Sequence, residues 1–413
     1  MIAESRAARA HTDVILILMV FAMSLFGVVA VCVATYTADS SPDVPFLNHV
    51  FESSYTMRQC LFVLVGALVV GVLIAIPFDF LRRRAELIYW ATALLLAVVT
   101  VFNRATGVKA WLDIIWGYTI QPSEFAKLAM ILILAKQLAR ESRPLSSWKS
   151  CMRVVVTVGI PCAIILAEHE TGSMMVIVFL TAVMLYFSNC NLKVYFGAIA
   201  AVMLLILAVV GYMITTGVED YRLARIIGFL NPESHSSSDA YQVLQSQMAI
   251  GSGGMSGIGM FVDGAMSQLN FVPADWTDFI YATIGEAWGF IGCVSVLTLY
   301  ILILLRMLYL AWYTRDKFGR LVICGVMGML LFHVFENIAM TLGLMPITGI
   351  PLPFLSYGGS NMVTNMGGVG LVLNATRSRS LSDSISTPQT LYNPYYVSKR
   401  FKIKKTRAFN PRA

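Results

Sequence analysis

Charge is scarce in this chain: 13% of its 413 residues are Asp, Glu, Lys or Arg, against 57% that are hydrophobic. A mean hydropathy of +0.72 excludes a water-soluble fold of this length and leaves little room for a separate soluble domain. Cysteine offers no framework. The seven cysteines, at 32, 60, 151, 162, 190, 293 and 324, are odd in number and scattered, mostly in or beside apolar runs. They make neither a disulfide scaffold nor a metal-ligand spacing, and read as small core residues. A removable signal peptide is not expected, because the first apolar run is long and lacks a small-residue cleavage site ahead of a polar start. Strands of alternating hydrophobicity are missing too, which sets a barrel aside.

What the chain does have is a succession of apolar runs. Crossing a hydrocarbon core of roughly 30 Å takes about 20 helical residues. Runs of that order fall at 14–35, 59–77, 86–103, 118–137, 153–168, 172–188, 194–216, 278–306, 320–345 and 361–376. The pattern predicts an all-α integral membrane protein, a bundle of about ten transmembrane helices forming one polytopic domain over 1–377. Basic residues orient it. With both termini cytoplasmic, 24 of the 30 Lys and Arg lie in inner segments, 5 lie outside (Arg58, Arg104, Lys109, Arg222, Arg225), and Lys127 sits within a span. The net charge of +7 is then mostly attraction to an anionic inner leaflet, and the basic tail (KRFKIKKTR) implies no nucleic-acid partner.

Two loops stand out. The outward segment 217–277, between the seventh and eighth spans, holds RLARIIGFLNP, a Ser-rich stretch, the glycine-punctuated MAIGSGGMSGIGM and FVPADWTDF. That glycine density predicts short interfacial helices folded back on one another rather than a free loop. The last outer loop, PITGIPLPFLSYGGS, carries no charge. Its prolines and glycines break helix geometry, which is tolerable at membrane depth only under cover of protein or a water-filled cavity, so it is expected to be re-entrant and to line a cleft. The tail from 378 to 413, polar and then basic, has the composition of a disordered cytoplasmic segment.

The motifs GVKAWL (107–112), QPSEFAKL (121–128), ETGS (170–173), RIIGFLNP (225–232), YQVLQSQMAIGSGG (241–254), TDFIYATIGEAWGFIG (277–292) and GLMPITGIPLPFLSYGGSN (343–361) occur in order along most of the chain. In that order and spacing the chain resembles the SEDS family (FtsW, RodA and SpoVE), which polymerises lipid II into peptidoglycan strands. The resemblance implies an enzyme, a glycosyltransferase of the bacterial cytoplasmic membrane acting in division, elongation or sporulation. It also implies lipid II as substrate and a class B penicillin-binding protein as partner. By resemblance Asp278 holds the position of the family's essential acid. A carboxylate there could take the proton of the attacking sugar hydroxyl. The alternative is that Asp278 merely caps the eighth span.

Asp275, three residues earlier, reads as a solvated loop acid, and Glu286, about 12 Å deeper by helix rise, should face the bundle interior. Lys109, Arg222 and Arg225, with Arg104, are the cations available for a departing diphosphate. The family's Arg before the Trp of the GARRWI-like motif is Ala110 here, so Lys109 is its nearest substitute. Glu124 and Lys127, at i and i+3, can pair within lipid as a structural or substrate-head network. Ser356 and Tyr357, in the last outer loop, are further candidate substrate contacts. His333, Glu336 and Asn337 form a polar stripe on the ninth span, read as helix–helix hydrogen bonding. The QPDLGT-like motif reads EHETGS here, so Glu170 keeps a carboxylate among altered neighbours. No ligand cluster demands a metal, though a divalent cation (Mg or Mn) could assist Asp278. Two rival readings are a flippase for the same lipid, against which inverted repeats are lacking, and a non-catalytic division or elongation scaffold.

Overall fold

The computed structural model describes residues 12–36, 53–106, 111–113, 119–216, 229, 238–269 and 271–385. Lys109, Arg222 and Arg225, the Arg104 side chain and the tail beyond 385 lie outside the described residues. The described part is a largely helical, multi-span membrane bundle. Its helices are α1 (Val14–Ala34), α2 (Ser54–Ala75), α3 (Phe78–Thr106), α4 (Pro122–Arg140), α5 (Trp148–Ala167), α6 (Thr171–Phe187), α7 (Leu192–Thr216), α8 (Ser238–Ser252), α9 (Ile280–Tyr313), α10 (Lys317–Thr341) and α11 (Gly359–Ile385). Among the described residues, 7 of these are long and apolar enough to cross a membrane. Each apolar run of the sequence overlaps one helix.

Local chemistry sets the boundaries. Asp13, Ser53, Ser147 and Asp316 each accept a backbone N–H from the first turn of α1, α2, α5 and α10, the standard answer to the orphan donors there. The start of α4 differs from the expected 118. Leu112–Asp113 (β1) and Thr119–Ile120 (β2) form a short antiparallel pair, and the helix begins only at Pro122, whose fixed φ and missing N–H suit a first helical position. At the other end α11 continues to Ile385, past the expected 376, with Asn374 donating to the carbonyls of Leu73 (2.6 Å) and Ile76 (2.8 Å). The segment expected to hold short helices, 217–277, does contain one, α8.

α10 is the axis of the bundle. Within its apolar window 83% of residues are buried, and it packs against α4, α6, α9 and α11. By contrast α7 buries none of its apolar window and packs chiefly on α6, which leaves its side chains to meet lipid. Small residues let the close pairs meet: a Cβ on Gly66 of α2 would come within 2.7 Å of Met366 on α11. A Cβ on Gly27 of α1 would lie 2.3 Å from the Phe354 carbonyl oxygen. α1 is thereby pressed against the Pro/Gly segment that precedes α11, in which Leu352, Phe354 and Leu355 are wholly buried.

α9 is not continuous. Gly289 adopts φ 66°, ψ −160°, breaking the helix and freeing backbone groups on both sides. The loop after α8 fills the gap. Ile258 and Gly259 donate to the carbonyls of Glu286 (3.0 Å) and Ala287 (3.1 Å), and Phe290 and Ile291 donate to those of Gly254 (2.9 Å) and Met255 (3.2 Å). This restores the pairing that buried backbone requires. Glycine is needed for the close approach, since a Cβ on Gly253 would lie 1.9 Å from the Gly285 carbonyl oxygen. Glu286, wholly interior as expected, binds the same loop through the amides of Met266 (2.6 Å) and Ser267 (3.0 Å).

Candidate active site

Asp278 lies in the turn that leads into α9, half-buried. The cap position of that helix is held by Phe279, not by Asp278. The backbone of Asp278 is clamped instead. Asn337 of α10 donates through Nδ2 to the Asp278 carbonyl (2.7 Å) and to the Ile350 carbonyl (2.8 Å), tying the α9 entry to the segment 348–350. That segment is held twice more. Thr348 donates its hydroxyl to the Glu336 carboxylate, and a Cβ on Gly172 of α6 would sit 2.8 Å from the Ile350 side chain. Gly349, at φ +73°, presents bare backbone to the acid: a Cβ there would lie 3.6 Å from Asp278 Oδ2. The result is a carboxylate fixed at a half-open rim, with its main chain anchored to α10.

Ser356 is wholly buried beneath that rim. Its hydroxyl donates to the Thr277 carbonyl (2.6 Å) and accepts from the Leu352 amide (2.8 Å). Gln59 of α2 donates to its carbonyl (3.1 Å). So Ser356 faces the scaffold and braces the turn carrying Asp278. Tyr357 is only partly buried. Its amide bonds the Trp276 carbonyl (2.9 Å), and its ring meets Tyr55 at 5.3 Å and Phe62 at 5.8 Å. With Trp276, 5.5 Å from Tyr55, these rings form an aromatic wall beside the acid.

From the rim a polar track descends into the bundle. Glu170, just ahead of α6, accepts from Gln121 (2.6 Å) and Ser123 (2.8 Å); burial pushes its carboxyl upward, and those two bonds temper the shift. One turn below Ser123, Lys127 donates to Glu124 at 2.8 Å and meets His333 Nε2 at 3.1 Å. All three are at most 3% exposed. Glu124 Oε2, His333 Nδ1, Glu336 Oε2 and Asn337 Oδ1 are buried without a hydrogen-bond partner among the described residues, so this track is polar but incompletely satisfied. The His333, Glu336, Asn337 stripe thus does more than join helices. One end touches the buried ion pair, and the other holds Asp278.

Asp275 overturns its expectation. It is 0% exposed, and neither carboxylate oxygen makes a sound hydrogen bond among the described residues. Burial pushes its pKa up to about 8, against the tempering amides of Trp276 and Asp275 itself, with the charge of Glu286 adding to the rise. The signal that could have found it is its setting, a lone acid among Val272, Pro273, Ala274 and Trp276. Residues that the sequence reading passed over are Thr348, Gln121 and Ser123, which orient the carboxylates of Glu336 and Glu170. Among the described residues no group of three His, Cys, Asp or Glu is placed to hold a metal ion.

A comparison with known families matches residues 13–381 to the cell cycle protein family of FtsW, RodA and SpoVE. The chain belongs to that family. As a member, it is 32% identical over 372 residues to a probable peptidoglycan glycosyltransferase FtsW of Geobacter sp. (strain M18), covering 89% of this chain and 97% of that one. It is 33% identical over 324 residues to the peptidoglycan glycosyltransferase MrdB of Escherichia coli K12, covering 78% and 85%. Its fold matches, at a TM-score of 0.71 and 25% identity, a chain from a solved peptidoglycan synthase complex described as coordinating polymerization and crosslinking, over 91% of this chain and 99% of that one. The half-open rim and the polar track both lie within the family-matched residues.

Proposed function

We infer that this family member is a peptidoglycan glycosyltransferase that polymerises lipid II at the outer face of the bacterial cytoplasmic membrane. The observation that carries the site assignment is Asp278: a carboxylate at a half-open rim, clamped through its backbone by Asn337 and faced by the bare backbone of Gly349. In this reading Asp278 takes the proton from the sugar hydroxyl as it attacks the anomeric carbon of a second lipid-linked unit, and the diphosphate departs from the opposite face with inversion. Lys109, Arg222 and Arg225 supply the positive charge that the leaving group needs, and a divalent cation could share that task. The Glu124–Lys127–His333 track supports the substrate-head region from below, and Tyr357 contributes to its aromatic wall. The bundle spans the membrane ten times with both termini cytoplasmic, the segment before α11 re-enters from outside, and residues 378–413 form a basic cytoplasmic tail. A class B penicillin-binding protein crosslinks the product strand.

The test is to incubate the purified protein and its cognate partner with labelled lipid II and compare Asp278→Asn with wild type. Loss of polymerisation by a factor on the order of 100 to 10,000 is expected for removal of a general base. Undiminished polymer would overturn the assignment. If neither protein made polymer while proteoliposomes moved lipid II across the bilayer, the flippase reading would replace it.

A further inference from the structure

At the end of the bundle opposite Asp278, the start of α3, the close of α4 and the start of α10 enclose a cavity of about 450 Å³. Its charged lining is Arg82, Arg83, Lys136, Arg140 and Lys317 against a single acid, Asp316. Such a surplus could be spent on neighbouring carboxylates, and part of it is. Arg82 pairs with Asp316 and lies 4.7 Å over the Phe318 ring, and Lys136, 11% exposed, pairs with Glu86 at 2.9 Å. The rest is not. Among the described residues the Arg83 side chain has no carboxylate partner, Arg140 reaches Glu86 only at 3.8 Å, and Lys317 is bonded to the Glu141 carbonyl rather than to an acid.

Three under-compensated cations around a common hollow are the electrostatic complement of an anion that is bound from outside the chain. The surroundings say what kind of anion. Trp148, which opens α5, and Trp312, next to the last residue of α9, are 76% and 81% exposed at this end of the bundle, as side chains are at the depth of lipid headgroups. A second cavity of about 460 Å³, lined by Arg140 and Arg153 with Tyr89, Trp90 and the acid Glu86, which already pairs with Lys136, opens on the other side of Arg140. Apolar side chains of α3 and α5, Leu87 and Val155 among them, lead away from it exposed. A molecule with a phosphate at its head and acyl chains behind would fit both features at once, the cations and the apolar run.

We propose that this cavity binds the phosphodiester headgroup of an anionic phospholipid, with Arg83, Arg140 and Lys317 as its donors. The site stands apart from the glycosyl-transfer chemistry and does not rest on it. The experiment titrates the purified full-length protein in neutral detergent with phosphatidylglycerol, phosphatidylcholine or sn-glycerol 3-phosphate and counts bound molecules by native mass spectrometry. Wild type should retain phosphatidylglycerol in preference to phosphatidylcholine. Arg83→Gln and Arg140→Gln should each weaken that binding about fivefold, the effect of one basic side chain on an anionic lipid. Arg143→Gln and Lys149→Gln, at the same end but lining neither cavity, should leave it unchanged. Because Arg83 and Arg140 are exposed at the rim, either single variant is expected to fold, and each alone suffices. Equal losses in the cavity and control variants would reduce the effect to diffuse surface charge and overturn the proposal. Glycerol 3-phosphate binding as tightly as the lipid would overturn the assignment to a membrane lipid.

Discussion

Replacing Asp275 by Asn should change how stability depends on pH, and the structure sets the size of the effect. The carboxyl is wholly buried, with a pKa pushed up to about 8 from an ordinary 3.8. Below about pH 4 the folded and unfolded chains both hold the proton, and the group adds no pH-dependent cost. Between about pH 4 and pH 8 the unfolded chain ionises while the folded chain stays neutral. Stability therefore falls as pH rises, by about 1.36 kcal/mol per pH unit. By pH 7 the accumulated cost is about 4 kcal/mol, and above pH 8 it levels off. Asn keeps the shape and cannot ionise, so the variant lacks this slope. Its amide must also go underground, at a roughly constant cost of about 1–3 kcal/mol. The diagnostic quantity is thus the slope of the wild-type-minus-variant difference, not its intercept. Equilibrium unfolding in mixed micelles at intervals from pH 4 to pH 9 would measure it. A flat difference across pH 5–8 would refute the reasoning and return Asp275 to the solvated loop acid that its sequence position suggests.

The ion pair in the bundle gives a second prediction. Lys127→Met strands the Glu124 carboxylate, 3% exposed, and should cost about 3–5 kcal/mol. Adding Glu124→Gln should recover a large part of that, and a double-mutant cycle read by the same unfolding assay would show no coupling if the pair contributes nothing. The joint in α9 gives a third. Gly253→Ala drives a methyl to 1.9 Å from the Gly285 carbonyl oxygen and should lower the thermal midpoint sharply, whereas Gly251→Ala, exposed in α8 with nothing within 4 Å, should be neutral or stabilising by up to about 1 kcal/mol. Similar midpoints for the two variants would count against the close packing of that loop.

The helices were legible because apolar length is a one-dimensional property: ten residues of Leu and Val look the same before and after folding. Boundaries were less so. Nothing in the apolar pattern around 118 announces that Thr119–Ile120 pairs with Leu112–Asp113, a contact made across a turn rather than along a helix. The site divides along the same line. Asp278, Glu124 and Lys127 stood out because their motifs are local, and the i, i+3 spacing of the last two is enough to bring them together. The clamp of Asn337 on Asp278 spans 59 positions, and the brace of Ser356 on Thr277 spans 79, separations that no local period encodes. Asp275 was misread for a related reason. Only two residues separate it from Asp278, yet Asp278 lies at the rim and Asp275 is sealed, a difference made by tertiary packing of Trp276 and its neighbours rather than by polarity.

The joint at Gly289 also bears on how the chain enters the bilayer. As one rod, the 34 residues of α9 would be about 50 Å long, well beyond a hydrocarbon core of roughly 30 Å. Divided at the glycine, the part after it is about 36 Å, a length that insertion machinery can accept as a single span. The shorter part ends in carbonyls, those of 286 and 287, that its own helix cannot pair, and the amides that pair them, of 258 and 259, were synthesised about thirty residues earlier. That loop must therefore be in place before the span that follows can complete its hydrogen bonds, so the order of synthesis and the order of assembly coincide at this one joint.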